Sequence, residues 1–458
     1  MGDALGSPIN KLLWKSGGLV VLYLLTLAVG NLLVTKDQAF TARMYGHDFL
    51  PFYTAGQLVR QGRTQDLYNA AAIAQMERQT CQAAGLSLEN QYGAFLNPPF
   101  VALAAAPLAR FGYATALLVW TAVLLVCLGA ATMLLVRLLP QPTPWRYAGL
   151  IPLLLLGALP AWQAMLHAQN TFVSLLILCG VVHLWRSQKA FAAGILTGLL
   201  LFKPQVGGVV AIVLVVSQGR RAAAGVAISA LALLVITLVA MPGTLTNYLH
   251  QLPATLAVIQ SLPRYAWHRH ITFLAFWRLL LQGHVGALPN GMTRVLSAIC
   301  GVSLGAFFLR AVLIARKNPL PDPPPEYRGR GEEAGRIGAS EVRAKRTDQL
   351  IATAIVVTPL LNAYYMDYDM TLLAIAAVLC AADGIRHGTD RSTVTAWIAL
   401  YIAMELNPMI GGIVPAPIAP IILAALSVVL IGRLRKAVGG ESANAAPSLI
   451  TTPTRLAA

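Results

Sequence analysis

The chain predicts an all-α polytopic membrane protein, and three observations predict it. Hydrophobic residues make up 57% of its 458 residues and charged ones only 11%, with a mean hydropathy of +0.65, a balance foreign to soluble domains. Apolar runs recur near the length that crosses a bilayer core, about 20 residues. The excess of 34 Lys+Arg over 18 Asp+Glu, net +16, is spread over short loops between those runs. That pattern belongs to membrane topology and speaks against a nucleic-acid partner.

The first run, 17–35, exceeds a signal-peptide core and lacks a small-residue cleavage site, so it reads as a retained anchor. A loop over 36–113 follows, in which 52–61 and 70–80 have helical spacing with mixed polarity and predict amphipathic surface helices. Further spans are predicted at 114–137, 147–162, 171–186, 190–203, 206–218, 222–241, 291–316, 349–364, 369–386, 393–410 and 413–433, about twelve in all. The alternation of basic residues then puts Lys11/Lys15, Arg137/Arg146, Arg186/Lys189, Arg220/Arg221, the 317–348 loop, Arg386/Arg391 and Arg433/Arg435/Lys436 inside. The loop 36–113, the turns near 167–170, 203–205 and 362–369, and the segment 243–290 fall outside. Two short apolar runs, 98–109 and 271–283, read as interfacial or re-entrant helices, because counting either as a span would throw the 317–348 loop outside. That loop, rich in proline and charge, predicts a disordered cytoplasmic linker between a membrane module at 1–316 and a second at 349–436, with a loose tail at 437–458.

The five cysteines have no CxxC spacing and four lie in apolar runs, so neither a disulfide framework nor a zinc site is predicted. No Gly-rich phosphate loop and no metal-ligand spacing is present. Residues able to carry chemistry gather on the outer side. Asp48, in His47-Asp48-Phe49 just past the first span, is a carboxylate at a fixed junction, suited to accept a proton, with His47 and Arg43 near enough to tune it. The plain alternative is a solvated acid at a membrane edge. His167, Gln169 and Asn170 are substrate contacts or a helix cap. Lys203, with Gln205, contacts phosphate or snorkels to the interface. Arg264, His268, Arg269 and His270 form a dense cationic patch fit for a phosphate or an anionic headgroup. Tyr364, Tyr365, Asp367 and Asp369 open the span after the 362–369 turn, where acids also suit a helix N-terminus. Trp162, Trp185 and Trp267 read as aromatic-belt residues.

Taken in order, Asp48-Phe49-x-x-Phe52-Tyr53-x-Ala55-Gly56, Leu67-Tyr68-Asn69, Asn97-Pro98-Pro99-Phe100, Pro107-Leu108, the 114–120 stretch, Gln169-Asn170 and Lys203-Pro204 resemble glycosyltransferase family 87 of the GT-C superfamily. Thr358-Pro359 with Tyr368-Asp369 is similar to a later family pattern, although Leu360 stands where Tyr is common and Tyr364/Tyr365 stand where some relatives carry histidine. The resemblance implies a GT-C-type bundle with a long extracytoplasmic first loop. It implies transfer of a sugar, mannose first among the choices, from a polyprenyl-phosphate donor to an acceptor hydroxyl with inversion. Asp48 would be the base, with Lys203, Arg264, Arg269, His268 and His270 around the donor phosphate. His47, Tyr53, Asn97, His167, Gln169, Asn170, Gln205, Tyr364, Tyr365 and Asp369 would contact substrate. No metal or other cofactor is implied. The acceptor would be a glycolipid or polysaccharide, and the protein a monomer in a bacterial inner membrane with its site facing the periplasm. A transporter of lipid-linked sugars is the rival reading; it predicts repeated halves and ionisable residues at mid-span, and neither is evident in the sequence.

Overall fold

The computed structural model describes residues 3–33, 45–86, 93–263, 265–317 and 332–444. Among them the chain is helical, without strands. In order the helices are α1 Asp3–Leu33, α2 Phe49–Arg60, α3 Ala70–Ala83, α4 Pro99–Ala105, α5 Tyr113–Val136, α6 Trp145–Leu156, α7 Leu159–Leu166, α8 Thr171–Arg186 and α9 Ala190–Leu199. There follow α10 Pro204–Gln218, α11 Arg220–Ala240, α12 Thr244–Gln260, α13 Phe273–Gln282, α14 Gly291–Lys317, α15 Glu332–Val357, α16 Leu373–His387, α17 Arg391–Ile413 and α18 Ala419–Asn444.

Each apolar run falls on a helix, but length and composition qualify six helices as spans among the described residues, or seven if the bent pair α6/α7 is one. The helices at 171–186, 190–202, 204–218 and 273–282 are apolar and shorter. The run 147–162 is not one rod: its helix breaks between Leu156 and Leu159, with a bend of 57°. Pro160, which lacks an N–H, fits the new helix start there. The surface helix expected at 52–61 begins at Phe49, and that expected at 70–80 runs to Ala83. Helix α12 was not legible as a separate element. The presumed linker is a correction in part. Residues 332–348 are helical and continuous with the next apolar run as α15, and α18 extends into the tail as far as Asn444; 318–331 and 445–458 lie outside the described residues.

The core is aliphatic, with Leu135, Leu175, Val181, Leu214, Val356, Ile375 and Leu423 essentially inaccessible, while Leu118, Val126, Val239 and Val302 face outward where lipid would cover them. The tightest pair is α9 on α11. A Cβ on Gly194 would stand 2.3 Å from the Ala222 carbonyl oxygen, and one on Gly225 2.2 Å from that of Phe191. Small residues bring the two backbones together, as suits helices that meet within lipid. At one end of the bundle α2 lies on α4, while α7 and α8 lie on the 3-10 turn Asp367–Leu372 and α17 on the turn Trp267–Arg269. Those three meetings assemble the site. The segment 349–436 therefore supplies part of it, packed directly on helices from 1–316.

Candidate active site

The turn carrying Asp48 is fixed before α2 begins. Gly46 adopts φ +77, where a Cβ would also stand 2.7 Å from Leu117, so a side chain is excluded twice. Its N–H donates to the Leu166 carbonyl at 2.9 Å, and its own carbonyl accepts from the Tyr113 hydroxyl at 3.1 Å. Phe49 stacks on Trp120, whose indole N–H donates to the Ala168 carbonyl at 2.8 Å. Asp48 occupies the N-cap position of α2 yet makes no side-chain cap bond. The carboxylate is left free for other partners.

Two of those partners come from residues about 120 positions away, and the third is its neighbour His47. Gln169 Nε2 donates to Asp48 Oδ2 at 2.6 Å, His167 Nδ1 stands 3.6 Å from the same oxygen, and His47 Nδ1 lies 3.4 Å from Oδ1. His167 and Gln169 can both face Asp48 because Ala168 between them takes the left-handed φ of 52, uncommon for a residue with a Cβ. Burial alone would raise the Asp48 carboxyl, but the His47 hydrogen bond, the His167 charge and the Gln169 hydrogen bond together hold it down at about 2. The Asp48 hydrogen bond raises His47, whereas burial lowers His167. Asp48 is thus an ionised carboxylate with about 30% of its side chain exposed.

A second layer is built on charge pairs. Arg269 clamps Asp367 with Nε and Nη2 at 3.0 Å each, and its Nη1 donates to His167 Nε2 at 3.2 Å. Lys203 Nζ donates to Asp369 Oδ1 at 2.7 Å, an oxygen that also accepts from the Thr171 hydroxyl at 2.7 Å. The Tyr368 ring lies under the ammonium. Tyr364 stands edge-on to His270, and burial followed by the nearby Asp48 charge pushes its hydroxyl up.

Several expected roles change. Lys203 is buried and already answered by Asp369, so it is not a spare cation for phosphate. His270 is buried, bonded through Nε2 to the Tyr265 hydroxyl, and lowered to about 3 by burial and then by the Arg269 charge; it is neutral. Tyr53 is spent on the core, its hydroxyl donating to the Phe111 carbonyl. Asn97 receives the Tyr68 hydroxyl on its backbone carbonyl, and Gln205 receives Asn362 in the same way. Asn170 caps nothing with its side chain. His268 offers its carbonyl to Asn407, and Tyr365 its hydroxyl to the Asp369 carbonyl. Trp185 and Trp267 are buried and do not belong to an aromatic belt, while Trp162 packs against Tyr23 with the rings tilted by 38°. Arg43 and Arg264 lie outside the described residues. What the sequence left unresolved was Asp367, the partner of Arg269, and what it missed was Thr171; neither has a local signal, since each is defined by a residue far away in the chain.

Among the described residues no group of three or more His, Cys, Asp or Glu side chains is arranged to hold a metal ion. Three carboxylates, Asp48, Asp367 and Asp369, meet two fixed cations, Arg269 and Lys203; the proton that Asp48 favours on His47 balances the third. Such a site can take a proton from a hydroxyl at Asp48 while carboxylates favour developing positive charge on a sugar ring. The model of glycosyltransferase family 87 matches residues 95–322. That segment contains His167, Gln169, Lys203 and Arg269 and lies between Asp48 and Asp367. No match was found among curated proteins or among solved structures.

Proposed function

This chain belongs to glycosyltransferase family 87, and from that premise we propose that it transfers a sugar from a polyprenyl-phosphate donor to an extracytoplasmic acceptor hydroxyl, inverting the anomeric carbon. Mannose is the sugar we assign. The observation that carries the reading is the convergence of His47, His167 and Gln169 on the uncapped carboxylate of Asp48. Asp48 is a weak base in the resting protein. The transition state is oxocarbenium-like, however, and a hydroxyl bonding to such a carbon acquires positive charge and becomes a strong acid. A weak, permanently ionised carboxylate then suffices to receive its proton late in the step. Arg269 keeps two N–H groups beyond those given to Asp367 and His167, and these suit the departing phosphate. Lys203 and Asp369 hold the frame behind them.

The test is transfer by membranes supplied with polyprenyl-phosphate mannose and an extracted glycolipid fraction. Asp48→Asn should express like the parent and lose 10²- to 10⁴-fold in rate, the usual worth of a general base. Retention of more than about a tenth of the rate removes Asp48 from that role. The outward orientation is checked by labelling Arg63→Cys and Arg391→Cys in intact cells, which should react from opposite sides of the membrane.

A further inference from the structure

Glu405 lies within the apolar helix α17, on the stretch 393–410 that reads as a span. An acid at such a place is costly unless its oxygens are answered. Both are. Glu405 Oε1 accepts the N–H of Leu159 at 3.0 Å, and Oε2 accepts the Tyr23 hydroxyl from α1. Leu159 is the first residue of α7, just past the 57° break that follows α6. The break strips donors and acceptors of their helical partners, and the site repairs it: Glu405 takes the Leu159 N–H, a carboxylate at a helix N-terminus being favoured also by the helix dipole, and Trp162 Nε1 takes the Leu156 carbonyl at 2.6 Å. Tyr401, one turn earlier on α17, reaches the Leu154 carbonyl at 3.3 Å.

At its other end α7 delivers the active-site turn. The Leu166 carbonyl receives Gly46 N–H, and His167 and Gln169 follow against Asp48. An eight-residue helix is about 12 Å long, so its N-terminal anchor and its catalytic end move together. Two residues beyond Glu405, Asn407 Nδ2 donates to the His268 carbonyl at 2.9 Å and its Oδ1 accepts from Ala419 N–H at 3.1 Å. That bond holds the turn that carries Arg269. A single turn of α17 therefore grips both arms of the site.

We infer that Glu405 is a positioning residue that acts through α7 on His167 and Gln169, with Asn407 doing the same for Arg269 through the His268 carbonyl. The inference rests on the transfer reading for its kinetic consequence alone. It differs from the transporter expectation for a mid-span acid, because both oxygens are occupied by fixed donors of the same protein.

The experiment compares the full chain with Glu405→Leu, Glu405→Gln and Tyr23→Phe. The amide of Gln keeps an oxygen for Leu159 N–H and an NH₂ for the Tyr23 hydroxyl, whereas Leu keeps neither. Glu405→Leu should lower kcat about 10- to 100-fold, as expected for a sub-ångström to 1 Å misplacement, with KM changed by less than about twofold, and Glu405→Gln should recover most of the rate. Coupled to Gln169→Ala, Glu405→Leu should cost less than it does in the parent, since one of the two contacts it positions is already gone. The second readout needs no substrate. With isotope-labelled histidine, His167 of the parent should titrate below 6.5, Glu405→Leu should move it upward, and Glu405→Gln should not. If Glu405→Leu does not fold, Tyr23→Phe, which frees one oxygen and keeps the cap, should move His167 in the same direction by less. An unmoved His167 in every variant that folds, or fully additive losses with Gln169→Ala, overturns the inference. Absence of transfer by the parent would instead sink the proposed function and leave the His167 titration to judge Glu405.

Discussion

Charged groups gather near both ends of helices α8 and α16, and the two ends are built differently. At the site end, Asp48 retains solvent exposure, and its partners are an amide and two imidazoles, two of the three at 3.4 Å or more. At the other end, Asp383 of α16 is bound by Arg433 at 2.7 Å and His387 at 2.9 Å, and Arg186 of α8 pairs with Asp348 of α15 at 2.9 Å. Both acids there are almost inaccessible, about 6% and 4% at the side chain. Tight, closed pairing ties α8, α15, α16 and α18 together. Loose, open pairing leaves a carboxylate able to exchange partners with a substrate, so the difference separates a clasp from a reaction centre.

The largest expected effects set these two acids against each other. Asp48→Asn should abolish most turnover and lower the melting temperature by only a few degrees, the loss of its partly exposed contacts. Asp383→Ala should do the reverse, because removing one member of a buried ion pair strands the other at a cost of about 3–5 kcal/mol. Thermal unfolding in detergent alongside the transfer rate checks both. Loss of activity without loss of stability in Asp383→Ala would erase the contrast.

Lys203 sharpens it, since it lies at the site end but is paired like the clasp. Lys203→Met should destabilise by roughly 3 kcal/mol, and the double variant with Asp369→Asn should recover most of that loss, because the stranded carboxylate is gone. Arg269→Gln should instead lose rate about 10²-fold with a smaller stability change, its guanidinium being more exposed and its N–H groups not all committed. If the two variants behave alike, Lys203 returns to the phosphate site.

The imidazoles give the site end a pH response of moderate size. Asp48 raises His47, so the stability that its proton contributes is in place below the ordinary 6.5 and is lost as pH climbs through the raised folded value. Burial lowers His167, so stability falls as pH drops through 6.5 toward the depressed value, where the unfolded chain takes a proton that the folded one resists. The rate should therefore be bell-shaped, and His47→Gln should flatten its alkaline limb alone. An unchanged profile in that variant would detach His47 from Asp48.

Much of this was legible in the sequence for a physical reason. Apolar runs report burial or lipid contact directly, and Asp48 stands out because it sits at a fixed junction beside His47 and opens the ordered series of motifs that resemble the family. The break after Leu156 was harder, since an apolar run looks the same whether its helix is straight or bent; only Pro160 hinted at it. Residue roles were least legible. Lys203 and Arg269 read as cations ready for phosphate because sequence displays charge but not the pairing partner, which sits 166 residues away for Lys203 and 98 for Arg269. Glu405 corrects the expectation that no span carries an ionisable residue: the acid is visible within 393–410, and what the sequence hides is its answer, in Tyr23 and in a backbone N–H exposed by the break.

The smallest effect returns to the turns flanking α8. Ala168 and Gln188 are the non-glycine residues with positive φ among those described, 52 and 56, and each follows a helix end where an N–H one residue on reaches back five residues to a carbonyl, Gln169 to Ala164 and Lys189 to Leu184, both at 2.9 Å. Glycine suits that position, and relief of the left-handed strain is worth about 1 kcal/mol, offset in part by the greater freedom of the unfolded chain. Both Ala168→Gly and Gln188→Gly should thus leave the melting temperature within about 2 °C of the parent. Their rates should part. Gln188 is exposed and remote from Asp48, so its variant should turn over like the parent. Ala168 separates the two side chains that hold Asp48, and a freer backbone there spreads their orientations, lowering the rate several-fold. Equal rates for the two variants would mean that the left-handed turn at 168 is a helix stop like the one at 188, and that the orientation of His167 and Gln169 is set by α7 and Glu405 alone.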